Sequence, residues 1–287
     1  MNGVIPKIHN AMSSMNSTEQ KIASYLLENG TDLMRLPIAD IAARCGTSQA
    51  ALVRFCKRLN YKGLKDLKRA FAEDMLENCS TDNDCNYDDI SDADSIESIL
   101  EKVCHNSIRS ITDTQHIVDC EQLNRAISVI ETATRVDFYG VGASGLVALD
   151  AQQKFIRIGK VCNASSDSHV QMVMASSLKQ GDVAVFISNS GATRDTLETL
   201  HCAAERGATL IAITKFGGTP ISREADISLC ISSTESIVRS GATSSRIAQF
   251  IIIDTLFTGV AGRNLPHYRM LLNESYKHSR IKKVPGK

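Results

Sequence analysis

The chain has 287 residues, enough for about two domains at ~150 residues each. With 43% hydrophobic and 22% charged residues it is neither a disordered nor a fibrous chain. Thirty-two basic residues balance thirty-two acidic ones, which argues against a nucleic-acid binder unless one domain is basic and the average hides it.

No stretch reaches the ~20 uninterrupted apolar residues of a membrane span. The N-terminus, MNGVIPKIHNAMSS, has no apolar signal core, and a cytoplasmic protein is expected. Nine cysteines (45, 56, 79, 85, 104, 120, 162, 202 and 230) lack the close spacing of zinc ligands. They predict reduced, mostly buried thiols, with no metal site and no disulfide framework.

Charge does divide the chain. Between Arg54 and Arg69 stand seven bases and one acid, Asp66. Between Asp74 and Glu101 stand ten acids and no base. The middle of that run is rich in Asp, Asn and Ser and lacks apolar periodicity, so it cannot bury enough surface to order itself strongly. The expected organisation is a basic N-terminal domain over 1–77, an acidic linker over 78–100 and a larger domain over 101–287.

In the N-terminal part the apolar spacing is helical. Ser17 or Thr18 is expected to cap a helix that runs to Gly30, burying Ile22, Ala23, Leu26 and Leu27. Pro37 suits the first turn of a second helix carrying Ile38, Ile41 and Ala42. Gly46 stops it, and Ser48 caps a third helix with Leu52, Val53, Cys56 and Leu59 on its buried face. A fourth carries Leu64, Leu67 and Phe71. Two short helices joined by Cys45-Gly46-Thr47 form a helix-turn-helix. Its second helix would turn Ser48, Gln49, Ala50 and Arg54 to base edges, since Gln can pair with adenine and Arg with guanine. Lys57, Arg58, Lys62, Lys65 and Lys68 would meet phosphates. A helical module with a merely solvated basic face is the alternative.

After a helix around Leu123–Ala133, strand Arg135–Tyr139 runs into Gly140-Val141-Gly142-Ala143-Ser144-Gly145 and an apolar helix, Leu146–Ile158. Strand Lys160–Ala164 and a helix with Val170, Met174 and Leu178 follow. Strand Asp182–Ile187 runs into Ser188-Asn189-Ser190-Gly191-Ala192-Thr193, and helix Arg194–Arg206 comes next. Strand Thr209–Thr214, a short helix Pro220–Ala225, strand Asp226–Ser232 and a long apolar helix Ser244–Val260 complete the pattern. Five strands with helical crossovers predict a doubly wound α/β domain on a five-stranded parallel sheet. The long helix is a candidate for its core or for a subunit contact.

Gly140, Gly142 and Gly145 match a dinucleotide fingerprint, with Asp167 downstream. Asp167 falls beyond the predicted strand tip, however. A second hydroxyl-rich turn, Ser188 to Thr193, also precedes a helix, as phosphate-holding turns do. With Ser144 it forms a cradle for a small phosphorylated ligand rather than for NAD. Helix capping is the plain alternative for these hydroxyls.

At these residues the chain resembles the RpiR family of bacterial transcriptional regulators, which join a helix-turn-helix to a SIS (sugar isomerase) phosphosugar-binding domain. The resemblance is carried by Asp40-Ile41-Ala42, Arg54 to Leu59, Tyr61 to Leu67, Gly140 to Ser144, Lys154 to Gly159, Ile187 to Thr193 and Ser245 to Gln249. It implies a regulator of sugar or amino-sugar catabolism that senses a phosphosugar, without catalysis or cofactor. It implies a site lined by Ser144, Ser188, Ser190 and Thr193, with Gly142, Asn189 and Gly191 in the same turns. It further implies a homodimer or homotetramer on a palindromic double-stranded DNA operator.

The rival from another class is a phosphosugar isomerase with an appended DNA reader. Isomerisation needs a base beside the carbonyl, for which Glu235 and His169 are the candidates. In the sensor reading Glu235 bonds a sugar hydroxyl and His169 only begins a helix.

Overall fold

The computed structural model describes residues 3–78, 94–233 and 242–280. The chain divides into two compact units, Met1–Ile117 with Ser232–Ser240, and Val118–Ile231 with Gly241–Lys287.

The first unit is helical. It comprises α1 (Val4–Ala11), a 3-10 turn (Met12–Ser14), α2 (Ser17–Glu28), α3 (Gly30–Arg35), α4 (Ile38–Arg44), α5 (Gln49–Arg58), α6 (Leu64–Asn78) and α7 (Ile96–Ile117). Helix α2 starts where expected, but its cap is Asn16 rather than Ser17 or Thr18. The Asn16 side chain accepts from Glu19 N–H at 3.0 Å and Glu19 returns a bond to Asn16 N–H at 3.1 Å, a reciprocal capping box. Gly30, expected as a stop, begins α3. Helix α1 was not expected: it buries Val4, Pro6, Lys7, Ile8, Asn10 and Ala11, nearly its whole circumference. Its first free N–H groups are met by Asp74 of α6, whose carboxylate accepts from Val4 and Ile5 at 2.5 and 3.0 Å. The Lys7 ammonium lies 4.6 Å from the Tyr61 ring centre, which makes its burial tolerable.

The acidic stretch read as a linker falls largely on 79–93, outside the described residues. Helix α7 starts within its last residues and packs on α1 in the first unit, whereas the larger domain was expected to begin at 101. Ser110, Thr114 and Ile117 of α7 are buried.

The second unit is the doubly wound α/β fold. In order it has α8 (Cys120–Thr132), β1 (Arg135–Tyr139), α9 (Ala143–Ile156), β2 (Val161–Ala164), α10 (Ser168–Ser176), β3 (Val183–Ile187), α11 (Arg194–Glu205), β4 (Thr209–Lys215), α12 (Pro220–Glu224), β5 (Ile227–Ile231), α13 (Thr243–Arg263) and α14 (Leu265–Arg280). The strands are parallel in the order β2-β1-β3-β4-β5. Continuous runs such as Val183-Ala184-Val185-Phe186-Ile187 are buried throughout, as a sheet covered on both faces requires. One face packs Val147, Ala148, Ala151 and Phe155 of α9 and Ile252, Ile253, Leu256 and Val260 of α13. The other packs Ala175, Leu178, Leu200, Ala203 and Ile221. Helix α13 thus belongs to the core; α14 was not foreseen.

One buried polar cluster crosses the sheet. Asp137, wholly buried on β1, accepts from Arg135 Nε at 2.9 Å and Nη2 at 2.5 Å, from Asn163 at 2.8 Å and from Tyr139 Oη at 3.2 Å. A buried charge so fully paired and hydrogen-bonded is the tolerated kind. Burial, reinforced by the Asp137 carboxylate, pushes the Tyr139 hydroxyl pKa upward. Of the seven described cysteines, Cys45, Cys56 and Cys162 are buried and Cys104 and Cys120 exposed, fewer buried than expected.

Candidate functional sites

The turn between α4 and α5 is built by two backbone bonds. Thr47 N–H reaches Ala42 O at 2.9 Å and Gly46 N–H reaches Ala43 O at 3.0 Å, with Gly46 at φ +63°. This closure satisfies the last carbonyls of α4 and needs a residue that accepts a left-handed backbone. Ser48 then caps α5, its Oγ accepting from Ala51 N–H at 3.2 Å. Ala51, Leu52, Phe55 and Cys56 bury one side of α5. Ser48, Gln49, Ala50, Arg54 and Lys57 are exposed, the last four along one arc of the helix.

Two of the basic residues in this stretch do something else. Arg58 Nη2 donates to Ser14 O at 2.7 Å and Ser14 Oγ at 3.0 Å, and its guanidinium lies 3.4 Å from Glu19. It fastens α5 to the start of α2. Lys68 Nζ donates to Leu36 O at 2.6 Å, tying α6 to the residue before Pro37. Lys62 and Lys65 remain exposed.

In the second unit, β1 ends in Gly140 to Ser144 and β3 in Ser188 to Thr193. These strands are neighbours, and the chain leaves them in opposite directions, to β2 on one side and β4 on the other. That is the switch point of the sheet, where doubly wound folds open a crevice outside the strand ends.

Each turn is shaped by glycine. Gly142, with φ +59° and ψ −127°, precedes α9, and no side chain caps that helix. Gly191 also has φ +59°, and a Cβ on it would stand 2.4 Å from Thr219 Oγ1 and 2.8 Å from Thr214 Oγ1. Buried Gln171 holds the first turn, donating to Gly140 O at 2.8 Å and Ser165 O at 2.7 Å. Buried Gln249 of α13 donates to Ser144 Oγ at 3.1 Å.

The hydroxyls divide by role. Ser188 is buried, and its Oγ accepts from Gly191 N–H at 3.1 Å, folding the turn. Exposed Ser190 accepts from Ala192 N–H at 3.4 Å. Thr193 occupies the N-cap position of α11, yet its side chain makes no capping bond. Asn189 O accepts from Lys215 N–H and from Thr214 Oγ1, each at 3.2 Å.

Asp167 caps α10, accepting from Val170 N–H at 3.0 Å, which accounts for it without a ribose. His169 is exposed at the start of that helix. Glu235 lies outside the described residues. Gln171, Thr214 and Thr219 were missed, because only the folded chain brings them to these turns. Gln249 stood in a family-like motif, a usable signal.

A helix-turn-helix domain of the rpiR family matches residues 2–78, and a SIS domain matches residues 129–259. An uncharacterised HTH-type transcriptional regulator of Caldanaerobacter subterraneus is 40% identical over 261 residues, covering 91% of each chain. The chain belongs to the RpiR family of HTH-type transcriptional regulators. The RpiR regulator of Escherichia coli is 30% identical, covering 92% of this chain and 88% of its own. Among solved structures, the Vibrio vulnificus NanR protein complexed with ManNAc-6P shares the fold, with a TM-score of 0.61, 24% identity and coverage of 98% and 99%. The RpiR-family relatives are regulators by name rather than isomerases. Among the described residues no helix is long and apolar enough to cross a membrane.

Proposed function

We propose that this RpiR-family regulator binds a phosphorylated sugar at the two turns of the second unit. Its occupancy then sets the affinity of the first unit for a palindromic operator. The carrying observation is the pair of glycine-shaped turns at the switch point. Each leads into a helix whose first N–H groups meet no side-chain cap. Such N–H groups, with the helix dipole behind them, are ready donors to a phosphate. The NanR neighbour with its sugar phosphate supports the same ligand class.

In this reading Ser144, Ser190 and Thr193 donate hydroxyl bonds to phosphate oxygens. Gly142, Asn189 and Gly191 supply backbone, and Ser188 holds the turn in shape. Glu235 bonds a sugar hydroxyl. In the first unit Gln49 and Arg54 read bases, beside Ser48 and Ala50, while Lys57, Lys62 and Lys65 meet phosphates. Arg58 contributes by positioning α5. The protein works as a homodimer or homotetramer in the cytoplasm, each pair of recognition helices spanning two half-sites. A ligand moves DNA affinity only as far as it binds the two arrangements of the oligomer differently.

The test titrates a panel of sugar phosphates into the operator complex, with the unphosphorylated sugars and inorganic phosphate as controls. One sugar phosphate should shift operator binding, and the Ser190→Ala/Thr193→Ala variant should bind operator normally and respond weakly. Each charge-assisted bond lost costs about 1.5–3 kcal/mol of ligand affinity. An unchanged response in the variant would place the phosphate elsewhere.

A further inference from the structure

Helix α7 is uncovered along half of one face. In its last two turns Ser110, Thr114 and Ile117 are buried against the first unit. At 100° per residue, the same side of the helix in its first three turns carries Ile96, Leu100, Val103 and Ser107. There the apolar side chains stand open: Ile96 is 76% exposed, Leu100 63% and Val103 41%. Exposed Cys104 borders the strip. A helix side that is buried at one end and stands open and apolar at the other is the mark of a surface completed from outside.

The spacing says what completes it. Residues 96, 100, 103 and 107 follow steps of four, three and four, the a/d pattern with which one helix meets another. None of these four is charged, so the seam itself sets no like charge against its copy in a two-fold contact, and exposed Glu97 stands at its edge. The chain before α7 is a poor cover: between 79 and 93 it carries five Asp and, of large apolar residues, only Tyr87 and Ile90.

We propose that the exposed strip of α7 is a contact between two copies of this chain, α7 against α7. The proposal rests on the reading of the regulator as a homo-oligomer and adds the surface that joins it. Side chains already open in the single chain become buried in the pair. Replacing them should therefore weaken assembly and leave the unit folded.

The experiment follows maleimide labelling of each cysteine by peptide mass spectrometry in the full chain, alongside mass by light scattering. Cys120, exposed on α8, is the internal reference. Wild type should scatter as a multiple of 31.2 kDa. Labelling of Cys104 should slow at least tenfold as protein concentration is raised through the assembly range, with Cys120 unaffected. Leu100→Glu and Val103→Glu should restore fast labelling of Cys104 at high concentration with an unchanged thermal melt. A chain that stays monomeric would overturn both the oligomer reading and this contact. An oligomer whose Cys104 labels as fast as Cys120 at every concentration would overturn the contact alone. So would slow labelling that survives both Glu variants.

Discussion

Replacing Gly191 by alanine tests whether the second turn depends on glycine for two separate reasons. The first is conformation: at φ +59° a side chain costs ~1–2 kcal/mol. The second is space. The new Cβ would lie 2.4 and 2.5 Å from Oγ1 and Cβ of Thr219 and 2.8 Å from Thr214 Oγ1. Neither threonine can swing aside cheaply. Both are buried, their hydroxyls are hydrogen-bonded to each other at 3.2 Å, and Thr219 caps α12 by accepting from Ser222 N–H. Overpacking at such a place costs a further ~1–3 kcal/mol, so the total is about 2–5 kcal/mol. For a unit of roughly 150–250 residues each kcal/mol lowers Tm by ~2–4 °C, so a mid-range loss of ~3 kcal/mol lowers it by about 6–12 °C. Gly181→Ala is the control within the same unit. Gly181 has φ +91°, and a Cβ there would meet nothing within 4 Å, so only the conformational cost applies. Urea unfolding of both variants measures the difference. If Gly191→Ala is destabilised no more than Gly181→Ala, the packing of the turn against Thr214 and Thr219 has been misjudged.

Other expectations follow from the same geometry. Lys57→Ala should weaken binding to every DNA sequence and lower the salt slope by about one unit, read by anisotropy at several salt concentrations. Arg58→Ala should instead lower the stability of the first unit, by about 1 kcal/mol in urea, because its guanidinium is spent on Ser14 and Glu19. Asn16→Ala removes the capping box of α2 and should cost ~0.5–2 kcal/mol in the same measurement. Burial pushes the Cys56 thiol up to about 11 and the Cys162 thiol up to about 12. Both therefore stay protonated at pH 8 and should resist alkylation while exposed Cys120 reacts. Because unfolding frees these thiols to ionise at lower pH, stability is intact below about pH 9 and declines toward pH 12, measurable by urea midpoint against pH.

Strands were legible because a buried parallel strand is a short apolar run between breakers, and Arg135–Tyr139 lies within such bounds. The helix-turn-helix was legible for a related reason: Gly46 and Ser48 carry local signals for a stop and a start. Helix α1 had no such signal. Its buried Lys7 and Asn10 break any apolar period, and their partners Tyr61 and Ser232 lie far along the chain. Asn16 lost to Ser17 because neighbouring residue types cap equally well, and only the bond to Glu19 separates them. In the second unit the glycine and hydroxyl turns were visible, being contiguous. Thr214 and Thr219, against which Gly191 packs, were not, since β4 brings them there only after the sheet has formed.

The strand order also fixes when the sheet can assemble. The middle of β1 has β2 on one side and β3 on the other, pairing Val136 with Val183. During synthesis β1 must wait for some fifty further residues before its second edge is closed, while the helices of the first unit have already left the ribosome. Long-range parallel pairing is slow, and helical contacts form quickly. The helix-turn-helix can thus form before the sheet exists, whereas α1 gains the bond from its buried Asn10 to Ser232 Oγ only after the last strand has been made.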